Sequence, residues 1–209
     1  MIAIVDYGVG NLFSLKSSFA AIGEEVAVTS DASEISDADR IILPGVGAFG
    51  DAAEKLRTSG LEDAIIDSAR RGVPLLGICL GMQLLFDRSF EYGEHKGLGL
   101  ISGDVVPMEG VIPAELKIPH MGWNALDFTG EKHPLFKYIE NGDYVYFVHS
   151  FYASGCGGDT IATAEYGIPL TAAVAKGNVM GCQFHPEKSG SVGLNILKAF
   201  CGMGGGERC

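Results

Sequence analysis

The sequence predicts an α/β fold in which an open, mostly parallel sheet has helices on both faces and is followed by a β-rich extension. Short apolar runs alternate with segments of helical periodicity over the first ninety residues, a pattern typical of parallel sheets. Residues 73–78 are almost continuously apolar, as in a strand buried on both faces. From about residue 97 to residue 176, short β-rich pieces are separated by glycine, proline and asparagine, which favours a mixed or antiparallel extension.

The elements follow from these patterns in chain order. Four apolar runs predict strands at Ile2–Val5, Val26–Thr29, Arg40–Leu43 and 73–78. Two sets of residues at helical spacing predict helices that end near Gly23 and Gly72: Leu12, Leu15, Phe19 and Ile22, and then Leu61, Ala64, Ile65 and Ala69. The β-rich pieces of the extension are 98–106, 144–148, 160–164 and 170–175, and residues 192–200 predict a closing helix.

Length and composition predict one soluble domain. The chain has 209 residues, 47% of them apolar and 20% charged, which is ordinary for a globular protein. We expect residues 1–201 to form that domain and the glycine-rich residues 202–209 to be a flexible tail. No apolar stretch is long enough to span a bilayer, and no basic segment precedes the first strand, so the sequence predicts a cytoplasmic protein.

Charge and cysteine usage exclude several classes of function. The net charge of −11 comes without a basic patch, which disfavours nucleic acid as a partner. Five cysteines at irregular spacing, in a chain without an export signal, disfavour a disulfide framework. No CxxC, HxH, HxxxH or HExxH spacing occurs, so we expect no metal site, and no cofactor is expected.

The strongest local signal for chemistry surrounds Cys79. Gly77-Ile78-Cys79-Leu80-Gly81 lies between a predicted buried strand and an apolar-patterned segment, and it is the thiol form of a nucleophile elbow. A sharp turn presents the side chain above the sheet, and the N-terminus of the next helix favours a thiolate. The alternative is a buried structural cysteine with incidental glycines.

A thiol nucleophile requires an imidazole base and a group that orients it. His185 and Glu187 follow a strand-like run in Gln-Phe-His-Pro-Glu, and extended backbone would place both side chains on one face. The alternative is a solvated turn. Of the other histidines, His95 is expected to be exposed and His133 to lie in a loop, whereas His120 and His149 occur in unusual aromatic and glycine-rich contexts.

Two glycine-rich turns follow predicted strands. Residues 45–50 match G-x-G-x-x-G, which can bind a dinucleotide, but the motif does not open the first βαβ unit and no acidic residue ends a second strand about twenty residues later. We therefore interpret it as a backbone loop beside the thiol. The other turn, residues 6–11, is expected at the carboxyl edge of the sheet.

These motifs resemble the triad-type, or class I, glutamine amidotransferases. Gly-Ile-Cys-Leu-Gly-Met-Gln (77–83) and His-Pro-Glu (185–187) carry the resemblance, which covers nearly the whole chain. It implies a flavodoxin-like sheet, a γ-glutamyl thioester on the cysteine, and release of ammonia from glutamine. Cys182 departs from the pattern at a position where a branched apolar residue is expected, and a small buried group there should be harmless.

Further motifs resemble the glutaminase branch that serves histidine biosynthesis. They are residues 6–12, 43–49, 146–152 and 183–189 and, most specifically, Pro-His-Met-Gly-Trp-Asn at 119–124. This resemblance implies a heterodimer with a (β/α)₈ cyclase, to which ammonia is delivered so that imidazole glycerol phosphate and an aminoimidazole carboxamide ribotide are formed. It also implies weak activity of the glutaminase alone.

The resemblance assigns roles residue by residue. It makes Cys79 the nucleophile, His185 the base and then acid, and Glu187 the group that orients it. The remaining assignments are an oxyanion hole from Val46, Gly47 and Leu80, glutamine binding by Gln83, His149 and Ser150, and a cyclase-facing surface with Trp123 and Lys188. Trp123 could equally be a core aromatic residue, and Lys188 an ordinary solvated lysine.

Three alternatives stay open at this point. The chain could donate ammonia to pyridoxal phosphate, purine or anthranilate synthesis, although residues 119–124 argue against these. It could be a stand-alone cysteine hydrolase of peptides or γ-glutamyl conjugates, which would need no partner. It could also be a non-catalytic interaction subunit, against which the intact triad argues.

Overall fold

The computed structural model describes residues 1–203. Its helices are α1 (Leu12–Ala21), α2 (Ala32–Ser36), α3 (Phe49–Thr58), α4 (Leu61–Arg70), α5 (Leu80–Leu84) and α6 (Gly190–Cys201). Its strands are β1 (Ile2–Val5), β2 (Val26–Thr29), β3 (Arg40–Leu43), β4 (Leu75–Ile78), β5 (Arg88–Ser89), β6 (His95–Lys96), β7 (Asp104–Pro107), β8 (His120–Ala125), β9 (Asp127–Phe128), β10 (Tyr144–His149), β11 (Phe151–Ser154), β12 (Thr160–Glu165), β13 (Pro169–Lys176) and β14 (Val179–Cys182).

An eight-stranded sheet in the order β2-β1-β3-β4-β14-β13-β12-β9 organises the molecule. The pairs from β2 through β14 are parallel, and those from β14 through β9 are antiparallel. This confirms the predicted parallel sheet with a mixed extension. The extension adds the antiparallel ribbon of β8 and β10 and a four-stranded sheet, β11-β7-β5-β6.

Alternation along the strands produces a core on each face of the large sheet. Ile2 and Ile4 pack in the cluster that includes α1 and α6 residues, whereas Ala3 and Val5 pack in the cluster that includes α3 and α4 residues. Successive strand side chains point to opposite faces, so an apolar residue is needed at every position. This is the physical reason for the continuous apolar runs.

Three local features differ from the expectations. Helices α2 and α3 were not predicted, and α3 begins at Phe49, inside the stretch interpreted as a loop. The predicted β piece 98–106 forms a strand only from Asp104. Before that point the backbone bonds to the end of α5 instead, with Leu98 N donating to the Leu84 carbonyl at 2.8 Å, so its apolar side chains are buried in a turn.

The closing helix is α6, and Gly202 caps it. The carbonyl of Met203 accepts a hydrogen bond from Arg40 Nε at 2.8 Å. The predicted flexibility of residues 204–209 concerns a segment outside the described residues. No helix within residues 1–203 is long and apolar enough to cross a bilayer.

Candidate active site

Cys79 occupies a strained turn between β4 and α5. Its φ of 54° and ψ of −111° lie in a region that residues with a side chain rarely adopt. The surrounding chain holds this conformation, since Cys79 N donates to the Cys182 carbonyl at 2.8 Å and its own carbonyl accepts from Gln83 N at 3.1 Å. The sequence-predicted strand–turn–helix is therefore present, with the thiol at the N-cap of α5.

The flanking glycines are needed because backbone segments approach closely. A Cβ at Gly81 would overlap the carbonyl oxygen of Leu43, at the end of the neighbouring strand β3. A Cβ at Gly77 would lie 2.6 Å from the Gly81 carbonyl oxygen, tighter than real contacts allow. Any side chain at either position would push α5 away from the sheet.

His185 and Glu187 form a buried pair. His185 Nδ1 donates to Glu187 Oε1 at 2.8 Å, and their side chains are 3% and 2% exposed. The two side chains meet as expected. His185 itself is extended, as predicted, with φ −101° and ψ 98°. The prediction is wrong from Pro186 onward, where Pro186–Lys188 is a single 3₁₀ turn, because proline fixes a φ that suits the first turn of a helix. The other carboxylate oxygen, Glu187 Oε2, is buried and has no hydrogen-bond partner among the described residues.

The environment of His185 favours its charged form. Burial lowers the pKa of the imidazole, but the hydrogen bonds that the imidazolium donates to Cys79 and Glu187, together with the charges of both, more than offset burial and raise the pKa to about 9. A protonated imidazole between a sulfur and a carboxylate can hold a thiolate and later donate its proton.

Cys79 and His185 open into a cavity of about 320 Å³. All six residues assigned to the oxyanion hole or to glutamine binding line it: Val46, Gly47, Leu80, Gln83, His149 and Ser150. The other residues of its wall are Glu91, Pro119, Val148 and Phe151. The extension therefore supplies much of the wall, and the volume falls in the range of small-molecule sites.

The loop of Val46 and Gly47 is tied to the loop after β1. Tyr7 is buried, and its hydroxyl donates to the Pro44 carbonyl at 2.7 Å. Burial, with the nearby Cys79 charge, raises the pKa of Tyr7, so the phenol stays neutral and keeps its donor. Gly47 adopts a φ of 97°, which only glycine adopts readily. One feature of the sequence pointed to Tyr7, namely its place directly after a strand, at the carboxyl edge of the sheet.

Glu91 fixes the far end of the same loop. Its Oε2 accepts a hydrogen bond from Phe49 N, the first residue of α3, at 2.6 Å, and α3 has no side-chain cap from its own N-cap residue Ala48. A carboxylate at a helix N-terminus is stabilised by the free N–H groups there. Nothing in the local sequence indicated this role, because Glu91 comes from a turn in the extension.

The side-chain amide nitrogen of Gln83 makes two hydrogen bonds within the protein. Nε2 donates to the Phe151 carbonyl at 3.1 Å and to Gln183 Oε1 at 3.0 Å. Gln183 in turn has its Nε2 at 3.7 Å from Cys79 Sγ and is fully buried. Gln183 belongs to the motif at residues 183–189, and no role was predicted for it. Alternation in extended backbone could have indicated it, since residues 183 and 185 share a face.

His120 and His149 form a second buried pair in which the tautomers are determined. His149 Nδ1 is 2.9 Å from the Phe151 carbonyl and must donate, which leaves Nε2 to accept from His120 Nδ1 at 3.0 Å. The remaining nitrogen of His120 then accepts from Asn124 Nδ2 at 3.3 Å. Burial lowers the pKa of each histidine to about 4, so both are neutral at physiological pH.

Trp123 and Lys188 lie on the outside of the molecule. Trp123 is 54% exposed, which excludes the core alternative. Its ring meets Tyr146 edge-on, with ring centroids 6.2 Å apart, and Lys188 Nζ lies 5.9 Å from the centre of the same Tyr146 ring. We call Trp123, Tyr146 and Lys188 the ribbon face, because the first two project from the β8–β10 ribbon.

Comparison with known proteins extends over almost the whole chain. The family model described as glutamine amidotransferase class-I matches residues 3–201. The imidazole glycerol phosphate synthase subunit HisH of Wolinella succinogenes is 48% identical, over 98% of this chain and 100% of that protein. The HisH subunit of Sulfurimonas denitrificans is 52% identical, over 96% and 97% of the two chains.

The chain belongs to the HisH family of class-I glutamine amidotransferases. The fold agrees with this placement. A glutamine amidotransferase of known crystal structure superposes with a TM-score of 0.76 at 19% identity, over 99% of this chain and 100% of that one. PurLQS from Thermotoga maritima gives 0.73 at 20% identity, over 96% and 97%. At these identities the likeness concerns the fold alone.

Proposed function

We propose that the protein hydrolyses glutamine to glutamate and ammonia through a thioester on Cys79. The sulfur attacks the carboxamide carbon of glutamine, and the C–N bond breaks as His185 donates a proton to the departing ammonia. A water molecule, deprotonated by His185, then attacks the thioester and releases glutamate and the thiol. The observation that carries the proposal is the hydrogen-bonded arrangement of Cys79, His185 and Glu187 at the mouth of the cavity.

The cavity offers acceptors for the amino-acid end of glutamine. Because Gln83 Nε2 is used by the protein, its Oε1 is the atom left to accept from the substrate ammonium group. The Glu91 carboxylate lines the same cavity and has the opposite charge to that ammonium. Both imidazole nitrogens of His149 are used within the protein, so its backbone and Ser150 are the atoms of this segment that remain for binding glutamine.

The oxyanion that develops during attack needs N–H donors. Leu80 is the first residue of α5, and the first N–H groups of a helix have no partner within it. Its N–H, together with those of Val46 and Gly47 across the cavity, would surround the oxygen. Tyr7 and Glu91 then hold the two ends of the loop that carries Val46 and Gly47.

The ammonia is proposed to pass to a (β/α)₈ cyclase that makes imidazole glycerol phosphate and an aminoimidazole carboxamide ribotide. Ammonia released into neutral water is mostly protonated and is then not a nucleophile, so a partner docked over the site keeps it reactive. The ribbon face is our candidate for that docking surface, because Trp123 and the neighbouring Met121 are 54% and 61% exposed. Exposed aromatic residues and a cation are typical of interface hot spots.

The activity is tested by glutamate release from glutamine, measured with and without the cyclase and its ribonucleotide ligand. Strong activation by the liganded cyclase, abolished in Cys79→Ser, is expected. Full activity without a partner would instead favour a stand-alone hydrolase, and no activity in any combination would contradict the proposal.

Docking is tested separately with Trp123→Ala. We expect weaker binding to the cyclase by about tenfold or more, measured by calorimetry. Tyr138→Ala is the matched control, because Tyr138 is an aromatic residue of similar exposure, 44%, outside the ribbon face. Equal effects of the two substitutions would contradict the assignment.

A further inference from the structure

We propose that Gln183 is a further catalytic residue, whose side-chain N–H donates a hydrogen bond to the sulfur of Cys79. This inference rests on the proposed glutaminase function and adds a second donor to the nucleophile beside His185. Gln183 follows β14 directly, and its backbone N–H donates to the Ala172 carbonyl at 2.8 Å. Its side chain is fully buried, with Nε2 at 3.7 Å from Sγ.

The neighbours of Gln183 determine which end of its amide faces the sulfur. The Phe151 carbonyl can only accept, so the Gln83 group 3.1 Å away must be the amide nitrogen. That same nitrogen lies 3.0 Å from the Gln183 amide, which must therefore present its oxygen. The nitrogen of Gln183 is left to face Cys79, and a flipped amide would bring two nitrogens together.

Further hydrogen bonds hold the amides of Gln83 and Gln183 in this orientation. The Phe151 carbonyl also accepts from His149 Nδ1 at 2.9 Å, and His149 is held by His120 at 3.0 Å. Hydrogen bonds in a buried chain of this kind polarise one another. The amide of Gln183 is therefore oriented by this chain of hydrogen bonds, and its nitrogen is directed at the sulfur.

The chemical consequence concerns the charge on sulfur. In the proposed mechanism negative charge lies on the sulfur as it attacks, and again when the thioester bond breaks and the sulfur leaves. A buried N–H donor stabilises this negative charge at both steps, compared with a sulfur that has no such hydrogen bond. It also restricts the Cys79 side chain to one position above the sheet, which helps to place the sulfur for attack.

Two substitutions separate this role from a structural one. Gln183→Met keeps the length of the side chain and removes both amide atoms. Gln183→Glu keeps the shape and replaces the donor by a carboxyl group, which repels a thiolate when ionised and donates an O–H when protonated. Cys182→Ala is the control, because it alters the adjacent fully buried residue and leaves the amide in place.

The measurements are kcat and KM for glutamine in the complex with the liganded cyclase, and the rate at which a glutamine-analogue chloroketone alkylates Cys79. For Gln183→Met we expect kcat and the alkylation rate to fall by about 10- to 100-fold, with KM and the control variant within about threefold of wild type. For Gln183→Glu we expect the ratio of its kcat to the wild-type value to rise as the pH falls, because the protonated carboxyl restores a donor.

The inference is overturned if Gln183→Met keeps kcat within threefold of wild type, or if Gln183→Glu loses the same fraction of kcat at every pH. If Gln183→Met does not fold, the pH profile of Gln183→Glu decides alone. An inactive wild-type complex would instead contradict the proposed function, so the two failures are distinguishable.

Discussion

Acid should destabilise this protein through the buried pair of His120 and His149. Burial keeps both imidazoles neutral, and in each of them one nitrogen donates a hydrogen bond and the other accepts one. His120 is enclosed between the rings of Phe147 and Tyr166, with centroids at 4.8 Å and 4.1 Å. A proton added to either histidine removes an acceptor and places a charge in this apolar environment.

The magnitude follows from the pKa values. An ordinary histidine has a pKa of 6.5, whereas these two are lowered to about 4. Between these values the unfolded chain binds more protons than the folded one, so the free energy of unfolding falls as the pH falls. At pH 5 the loss is about 2 kcal/mol per histidine, and at most about 4 kcal/mol for the pair, which is a large part of a typical domain stability.

Urea unfolding followed by circular dichroism at pH 7 and pH 5 measures this loss. In His149→Gln one titrating group is removed, so the difference in unfolding free energy between the two pH values should shrink by about 2 kcal/mol. His95→Gln removes a histidine outside the pair. Between pH 7 and pH 5 this variant should lose as much unfolding free energy as the wild-type protein does. The same pH dependence in wild type and His149→Gln would refute the assignment of the acid-sensitive step to this pair.

Three further predictions concern the site. Tyr7→Phe should lower kcat by about fivefold to tenfold while leaving the urea midpoint nearly unchanged, because it removes the hydrogen bond to Pro44 that holds the oxyanion loop; an unchanged kcat contradicts this. Glu187→Gln should lower kcat by about 100-fold or more, because the charge that helps to raise the pKa of His185 is lost; steady-state kinetics of the complex check it. Gly81→Ala should lower the free energy of unfolding by about 3 kcal/mol or more, since its Cβ overlaps the Leu43 carbonyl. Gly158→Ala, where a Cβ meets nothing within 4 Å, should be nearly neutral in the same urea titration.

The loop of Val46 and Gly47 is held at both of its ends. Tyr7 holds one end through Pro44, and Glu91 holds the other through Phe49. Glu91 also lines the cavity, so a cation bound there competes with the N–H of Phe49 for the same carboxylate. In the proposed function, substrate binding and loop position would therefore share one group, which is the physical requirement for coupling them.

The sequence by itself predicted the layered architecture and singled out Cys79 as the proposed nucleophile. Strands β1 to β3 were predicted with their observed bounds. For β1 the reason is that a strand covered on both faces must be apolar at every position. The glycines around Cys79 were equally informative, since close backbone approach tolerates no side chain. Such signals can be recognised in a few adjacent residues, although the group that requires Gly81 is the Leu43 carbonyl of a neighbouring strand.

Only the tertiary structure decided which distant groups complete the site. Glu91 comes from a turn of the extension, and Gln83, Gln183 and the Phe151 carbonyl meet across long stretches of chain. Their roles depend on donor and acceptor pairing at distances near 3 Å, which no local pattern encodes. The same holds for Trp123, whose sequence suited a core or a surface equally and whose exposure was settled by the pairing of β8 with β10. Burial and hydrogen-bond partnership are properties of the packed chain, and they become visible only when the chain is folded.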